Sequence, residues 1–115
     1  MTSPVTHFEI YGRNAEQLRN FYSKVFGWEI HADNPMNYGL VHRDPEARGI
    51  GGGIAEGDPR VSVVIEVPDL EAALAAIEIA GGKTVTPITV IPDMVTYAEF
   101  ADPEGNVVGI AKSED

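Results

Sequence analysis

The sequence predicts an α+β fold made of two tandem βαβββ modules, residues 5–56 and 61–112, within a single domain covering residues 1–115. Three observations predict it. The order strand, helix cap, helix, glycine stop, strand occurs twice, 55 residues apart: Asn14 precedes Asp69, and Gly27 precedes Gly82, by that interval. A repeat this long leaves little room for anything else in a chain of 115 residues. In the first copy the residues alternate with period two and then switch to helical spacing. The linker between the copies, Glu56-Gly57-Asp58-Pro59, is short, so the modules are expected to share one fold.

The first strand is read from residues 5–11. Phe8 and Ile10 point one way, and His7, Glu9 and Tyr11 the other, as in a half-buried strand. Asn14 is a good N-cap, with Gln17 three residues on completing something like a capping box. Leu18, Phe21, Tyr22, Val25 and Phe26 then fall on one apolar helical face that Gly27 ends. That face reads as core with Phe21 at its centre, so truncating Phe21 to alanine is expected to cost about 3–5 kcal/mol. Three short strands follow, around 28–33, 37–43 and 49–55, punctuated by Asn34-Pro35 and Asp44-Pro45. The run Gly49-Ile50-Gly51-Gly52-Gly53-Ile54 is a poor strand former. Glycine there signals a bulge, a sharp bend or a close approach by another backbone or a ligand. It is no phosphate loop, because neither Lys-Ser/Thr nor a helix follows it.

The second copy opens with a strand over Val61–Val67. Asp69 caps a helix with Leu70, Ala73, Leu74 and Ile77 inward, and Gly81-Gly82 end it. Strands near 83–90, 95–101 and 106–111 close the chain. Asp102-Pro103-Glu104-Gly105-Asn106 reads as a tight turn between the last two.

Composition narrows the function classes. Eighteen acidic against eight basic residues give a net charge of -10, which repels phosphate backbones and argues against a nucleic-acid partner. No apolar run approaches the roughly 20 residues needed to span a bilayer. The first residues, Met1-Thr2-Ser3-Pro4-Val5, have neither the basic nor the apolar region of a signal peptide. The absence of cysteine excludes disulfides and thiolate metal sites. A cytoplasmic protein without membrane attachment is expected.

The helix segment Phe21-Tyr22-Ser23-Lys24-Val25-Phe26-Gly27-Trp28 after the first strand, and Asp102-Pro103-Glu104-Gly105-Asn106 before the last, carry a resemblance. With the repeat, they make the chain similar to the vicinal oxygen chelate superfamily of glyoxalase I, bleomycin-resistance proteins and extradiol dioxygenases. The resemblance implies two curled four-stranded half-barrels, a homodimer, and a cavity inside each curl. It also implies metal positions on the first and last strands of each module. His7 occupies the first of these, Ser62 its counterpart, and Gly109 the position in the last strand. The fourth falls within Ile50–Ala55, where no side chain can coordinate. A transition metal needs about three protein ligands, so one histidine is not a site and no metal cofactor is expected. Glu9 and Glu66 share the strand parity of the cavity face and offer the one rescue. His31 and His42 have no partner at ligand spacing and are expected at the surface. No serine, histidine and carboxylate are ordered as a nucleophilic triad.

The leading expectation is therefore a member of this superfamily that binds a small organic molecule without metal, as a bleomycin-resistance protein sequesters its drug. His7, Glu9, Tyr11, Ser62, Val64 and Glu66 would line the cavity. Trp28, Met94, Tyr97 and Gly109 join them, with Trp28 and Tyr97 able to stack on a planar ligand. Glu9, Glu66 and the overall charge favour a cationic ligand. The alternative is a metal-dependent glyoxalase-type lyase or isomerase. A third reading is an interaction module whose cavity is filled by Tyr11, Met94 and Phe100.

Overall fold

The structure, a computed structural model, describes residues 2–46 and 48–113. The chain divides into two compact units, residues 7–62 and residues 1–6 with 63–115. The N-terminal residues join the later unit because the Pro4 carbonyl accepts the Glu66 N–H at 2.8 Å.

The first unit holds β1 (Val5–Gly12) from His7 onward, α1 (Ala15–Phe26), β2 (Ile30–His31), β3 (Gly39–Val41) and β4 (Gly51–Glu56). Its sheet runs β2-β3-β4-β1, with β1 and β4 parallel and the other pairs antiparallel. The second unit holds β5 (Arg60–Val67) from Val63 onward, α2 (Leu70–Ile79), β6 (Lys83–Ile91), β7 (Val95–Ala101) and β8 (Val107–Lys112). Its order, β5-β8-β7-β6, again pairs first and last strands parallel. Each half is βαβββ, as the repeat predicts. Register shifts between Thr84 and Thr86 and between Thr86 and Thr89 bend the outer strand of the second sheet.

The caps act as their residue types dictate. Asn14 and Asp69 each accept the N–H three residues on, from Gln17 and Ala72, at 3.0 Å. Gly27 stops α1 at φ 71°, the left-handed region glycine enters without strain. In the turn before β8, Asp102 Oδ1 accepts from the N–H groups of Glu104 and Asn106, both at 2.9 Å.

The α2 face matches its periodicity. Leu70 is buried with Val67, Ala98 and Ile110, and Ala73, Leu74, Ile77, Ile65 and Phe100 pack around them. Phe100 thus belongs to the helix-side core and does not fill a cavity on the other face. The α1 face departs from expectation. Leu18 and Tyr22 are half-buried, but Phe21, Val25 and Phe26 are 53%, 55% and 60% exposed. The helix has only two very short strands, β2 and β3, beyond β4 to cover. The inner layer there is aromatic: Trp28 stacks on Tyr22 at 4.9 Å and meets Phe8 at 5.4 Å. Phe21 is left against the outer edge of Tyr22.

The strands expected at 28–33 and 37–43 shrink to two and three residues. Asn34 is the reason. Its side chain accepts from Met36 and Tyr38 N–H groups and donates to the Tyr38 carbonyl at 2.7 Å. The backbone groups a ladder would use at Tyr38 are taken, and the segment stays a loop. Among the described residues no helix is long and apolar enough to cross a membrane.

Candidate functional site

Strand parity places His7, Glu9 and Tyr11 on the face of β1 away from α1, and the structure adds a residue the sequence reading missed, Tyr38. Its hydroxyl lies 2.9 Å from His7 Nε2 and donates to Glu9 Oε2 at 3.0 Å. Tyr11 donates to the other carboxylate oxygen, Oε1, at 2.8 Å. Imidazole, phenol, carboxylate and phenol form one continuous chain.

Two features of the sequence seat Tyr38 there. Asn34 holds the loop before it, as described above, and Gly53 clears the space beneath it. Gly53 pairs with Glu9 on one side and Leu40 on the other. A Cβ at Gly53 would collide with the Tyr38 ring and hydroxyl. On the opposite face, a Cβ at Gly52 would come within 2.5 Å of the Phe8 ring. The glycine run therefore lets aromatic rings lie flat on both faces of β4. The run signalled a close approach by a backbone or a ligand; side-chain rings make it instead, and Tyr38 was not legible as one of them because it lies 31 residues from His7.

The network fixes protons. A phenol has one hydrogen, and that of Tyr38 goes to Glu9. The Tyr38 oxygen then accepts from His7, so Nε2 carries the hydrogen and Nδ1 keeps the lone pair in the neutral ring. Burial holds the His7 imidazole below its ordinary value, with Glu9 pulling the other way. Tyr38 is pushed strongly upward, first by burial and then by the charge and hydrogen bond of Glu9. It stays a phenol at any physiological pH. The Arg60 guanidinium lies over the Tyr11 ring, 4.2 Å from its centroid. One π face of Tyr11 is thereby taken by the chain itself.

Trp28 lies on the α1 side, against Tyr22 and Phe8, so it cannot stack on a ligand beside His7. Its parity was unreadable because β2 does not reach it. Ser62 is buried, at 6% exposure. In the second unit Glu66 and Tyr97 flank Ala111, and Val64 and Glu99 flank Gly109, all on the face away from α2. Thr86 donates to Glu99 there at 2.7 Å. Met94 sits apart, in the turn joining β6 and β7, beside a recess of about 360 Å³. A wider recess of about 550 Å³ opens beside the start of α1 and shares Tyr38 with the chain above. Of its two carboxylates, Glu16 and Glu56, the second accepts from the Ala15 N–H at 3.3 Å.

His31 and His42 are exposed, as expected, but they have partners. His31 Nε2 lies 3.0 Å from Glu29 Oε2, and the two imidazoles meet edge-on at 4.8 Å. The hydrogen bond from His31, helped by His42, holds the Glu29 carboxyl below its usual range.

The metal implied by the resemblance would need donors gathered at His7. The β4 residues paired with His7, Phe8 and Glu9 are Gly51, Gly52 and Gly53, which offer no side chain. His7 Nε2 and both Glu9 oxygens are engaged by phenols. Among the described residues, the trio of imidazole and carboxylate donors close enough to share an ion is Glu29, His31 and His42, which includes neither. The residues at His7 do not fit a transition-metal ion.

Comparison with known proteins adds the following. The family model of the Glyoxalase/Bleomycin resistance protein/Dioxygenase superfamily matches residues 5–110. Similar solved structures include a member of that superfamily from Vibrio splendidus, at 16% identity and TM-score 0.67, covering 97% of this chain and 100% of that one. Methylmalonyl-CoA epimerase from Mycobacterium tuberculosis is 16% identical with TM-score 0.69, covering 100% of this chain and 93% of that one. A methylmalonyl-CoA epimerase from Streptomyces coelicolor is 13% identical with TM-score 0.65, both chains being covered in full. At such identities the likeness is one of fold. No curated protein matches the chain by sequence.

Proposed function

This chain belongs to the glyoxalase/bleomycin resistance protein/dioxygenase superfamily, and from that premise we propose that it binds a small organic molecule against the His7 face without a metal ion. The observation that carries the proposal is the His7–Tyr38–Glu9–Tyr11 chain. It engages the groups a metal would need, and it holds an imidazole and a carboxylate in fixed orientation on a half-buried face. Such preorganisation lowers the cost of binding.

The chemistry on offer selects the ligand class. His7 Nδ1 and the remaining lone pairs of Glu9 accept hydrogen bonds. A donor-bearing cation, an ammonium or amidine on a small organic frame, complements them. Stacking contributes less than the sequence suggests, because Trp28 lies on the other face and Arg60 covers Tyr11. The second unit offers similar chemistry in Glu66, Glu99 and Tyr97 around the small residues Gly109 and Ala111. Sequestration of such a molecule, in the manner of a bleomycin-resistance protein, is the role this supports.

A second reading is a metal-dependent glyoxalase-type lyase or isomerase. A neutral histidine beside a carboxylate favours it, since that pair can move a proton. The glycines on β4 weigh against it. Calorimetric titration of small organic cations, with and without chelator, separates the two. We expect binding that chelator leaves unchanged, that salt weakens, and that Glu9→Gln weakens by about tenfold or more. Binding abolished by chelator, or a stoichiometric ion at His7 with turnover, would establish the second reading instead.

A further inference from the structure

We propose that Glu29, His31 and His42 form a surface site for one divalent transition-metal ion of the zinc class. Each offers one ligand atom, and these atoms all lie within 4.8 Å of one another. Metal–ligand bonds of about 2.0–2.2 Å place the ligand atoms of one tetrahedral ion about 3.3–3.6 Å apart. The His31 Nε2 to Glu29 Oε2 separation, 3.0 Å, is a little shorter than that and opens to it with a small movement. The rest is a shift of about an ångström, which small χ adjustments within the rotamer wells of exposed side chains supply.

The backbone brings the three together. Glu29 and His31 lie two residues apart, so they project on the same side of the chain. Across the ladder His31 pairs with Leu40, and the His42 N–H donates to the Glu29 carbonyl at 2.9 Å. His42 therefore stands on the same side as Leu40 and faces Glu29. The row His31, Leu40, Gly53, Glu9 runs straight across the four strands. The trio shares a sheet face with the His7 chain but stands at the opposite edge, with β3 and β4 between.

The donor set identifies the ion class. Two imidazole nitrogens and one carboxylate oxygen suit zinc, copper or nickel, with water completing the shell. Magnesium and calcium prefer oxygen. The net charge of -10 adds a long-range attraction for any cation. An ion here would clip β2 to β3, the two shortest strands, and so should raise the melting temperature.

The test uses tag-free full-length protein stripped with chelator and then dialysed. Zinc is titrated by calorimetry and by NMR of the imidazole nitrogens. The chain has three histidines, so the assignment is direct. We expect one zinc per chain, shifts at His31 and His42 with His7 unmoved, and a raised melting temperature. Loss of a direct ligand should cost no less than loss of an outer-shell partner, so His31→Ala and His42→Ala should each weaken zinc binding tenfold or more. Glu29→Gln, a near-isosteric change at an exposed side chain, should weaken it with the NMR spectrum otherwise intact. Absence of saturable binding would overturn the proposal. So would stoichiometric zinc retained by the His31→Ala/His42→Ala double variant, or shifts confined to His7.

Discussion

At the scale of single residues, the site turns on Gly53 and His7. Gly53 is needed for the space it leaves, since the ring of Tyr38 occupies the position of a β-carbon there. The side chain that must yield is the far end of a rotatable tyrosine, so Gly53→Ala should displace Tyr38 more than it unfolds the sheet. We expect a native circular dichroism spectrum, a small loss of melting temperature and loss of cation binding. Binding unchanged in that variant would show that Tyr38 is not part of the site. The His7 imidazole is held below its ordinary 6.5, chiefly by burial. The unfolded chain takes up that proton more readily, so the stability contributed by neutral His7 is full above about pH 6.5. It is lost as pH falls through the lower folded-state value. NMR titration should give His7 a midpoint below 6.5, and His7→Gln should flatten the stability profile on the acid side of that value. The parity of His7, Glu9 and Tyr11 was legible in seven alternating residues. Tyr38 was not, because a contact across 29–31 residues leaves no local pattern.

At the scale of elements, the two helices show what periodicity carries and where it stops. In α2 every residue expected inward packs on the core. In α1 the apolar stripe is real, but its burial depends on how much sheet lies beneath it. The expectation for Phe21 is corrected accordingly. At 53% exposure, Phe21→Ala should cost the single chain about 1 kcal/mol or less in a urea melt. Ile54, fully buried on β4, is the residue whose truncation should be severe, about 2–5 kcal/mol for Ile54→Ala. A larger loss at Phe21 than at Ile54 would mean that the exposed stripe is covered in solution. The short strands β2 and β3 carry the same lesson. Alternation suggested longer ones, and a single asparagine whose side chain takes both the N–H and the carbonyl of Tyr38 ended them.

At the scale of the whole molecule, the exposed apolar residues point to self-association. Phe21, Val25 and Phe26 line one part of α1, and Val85, Ile88 and Val90 lie along β6, all at least a third exposed. Apolar surface of this kind is costly in water and marks interaction sites. With β6 and β2 as the terminal strands of their sheets, edge pairing adds a second reason. We propose a homodimer. Sedimentation at micromolar concentration should give about twice 12.4 kDa, and Phe26→Glu should return the monomer. A species of 12.4 kDa that persists as concentration rises would refute this.

The sequence by itself determined the two βαβββ modules, their caps and stops, and the core face of α2. These depend on neighbours within a few residues, where spacing and residue type act directly on backbone conformation. It also determined that the glycine run of β4 admits a close approach, and that His7, Glu9 and Tyr11 share a face. Only the tertiary structure decided which ring makes that approach, that Trp28 lies on the helix side, that Arg60 covers Tyr11, and that Glu29, His31 and His42 meet. Each of these is set by strand register and loop closure between residues distant in the chain. A shift of one residue in register would turn every such side chain to the other face.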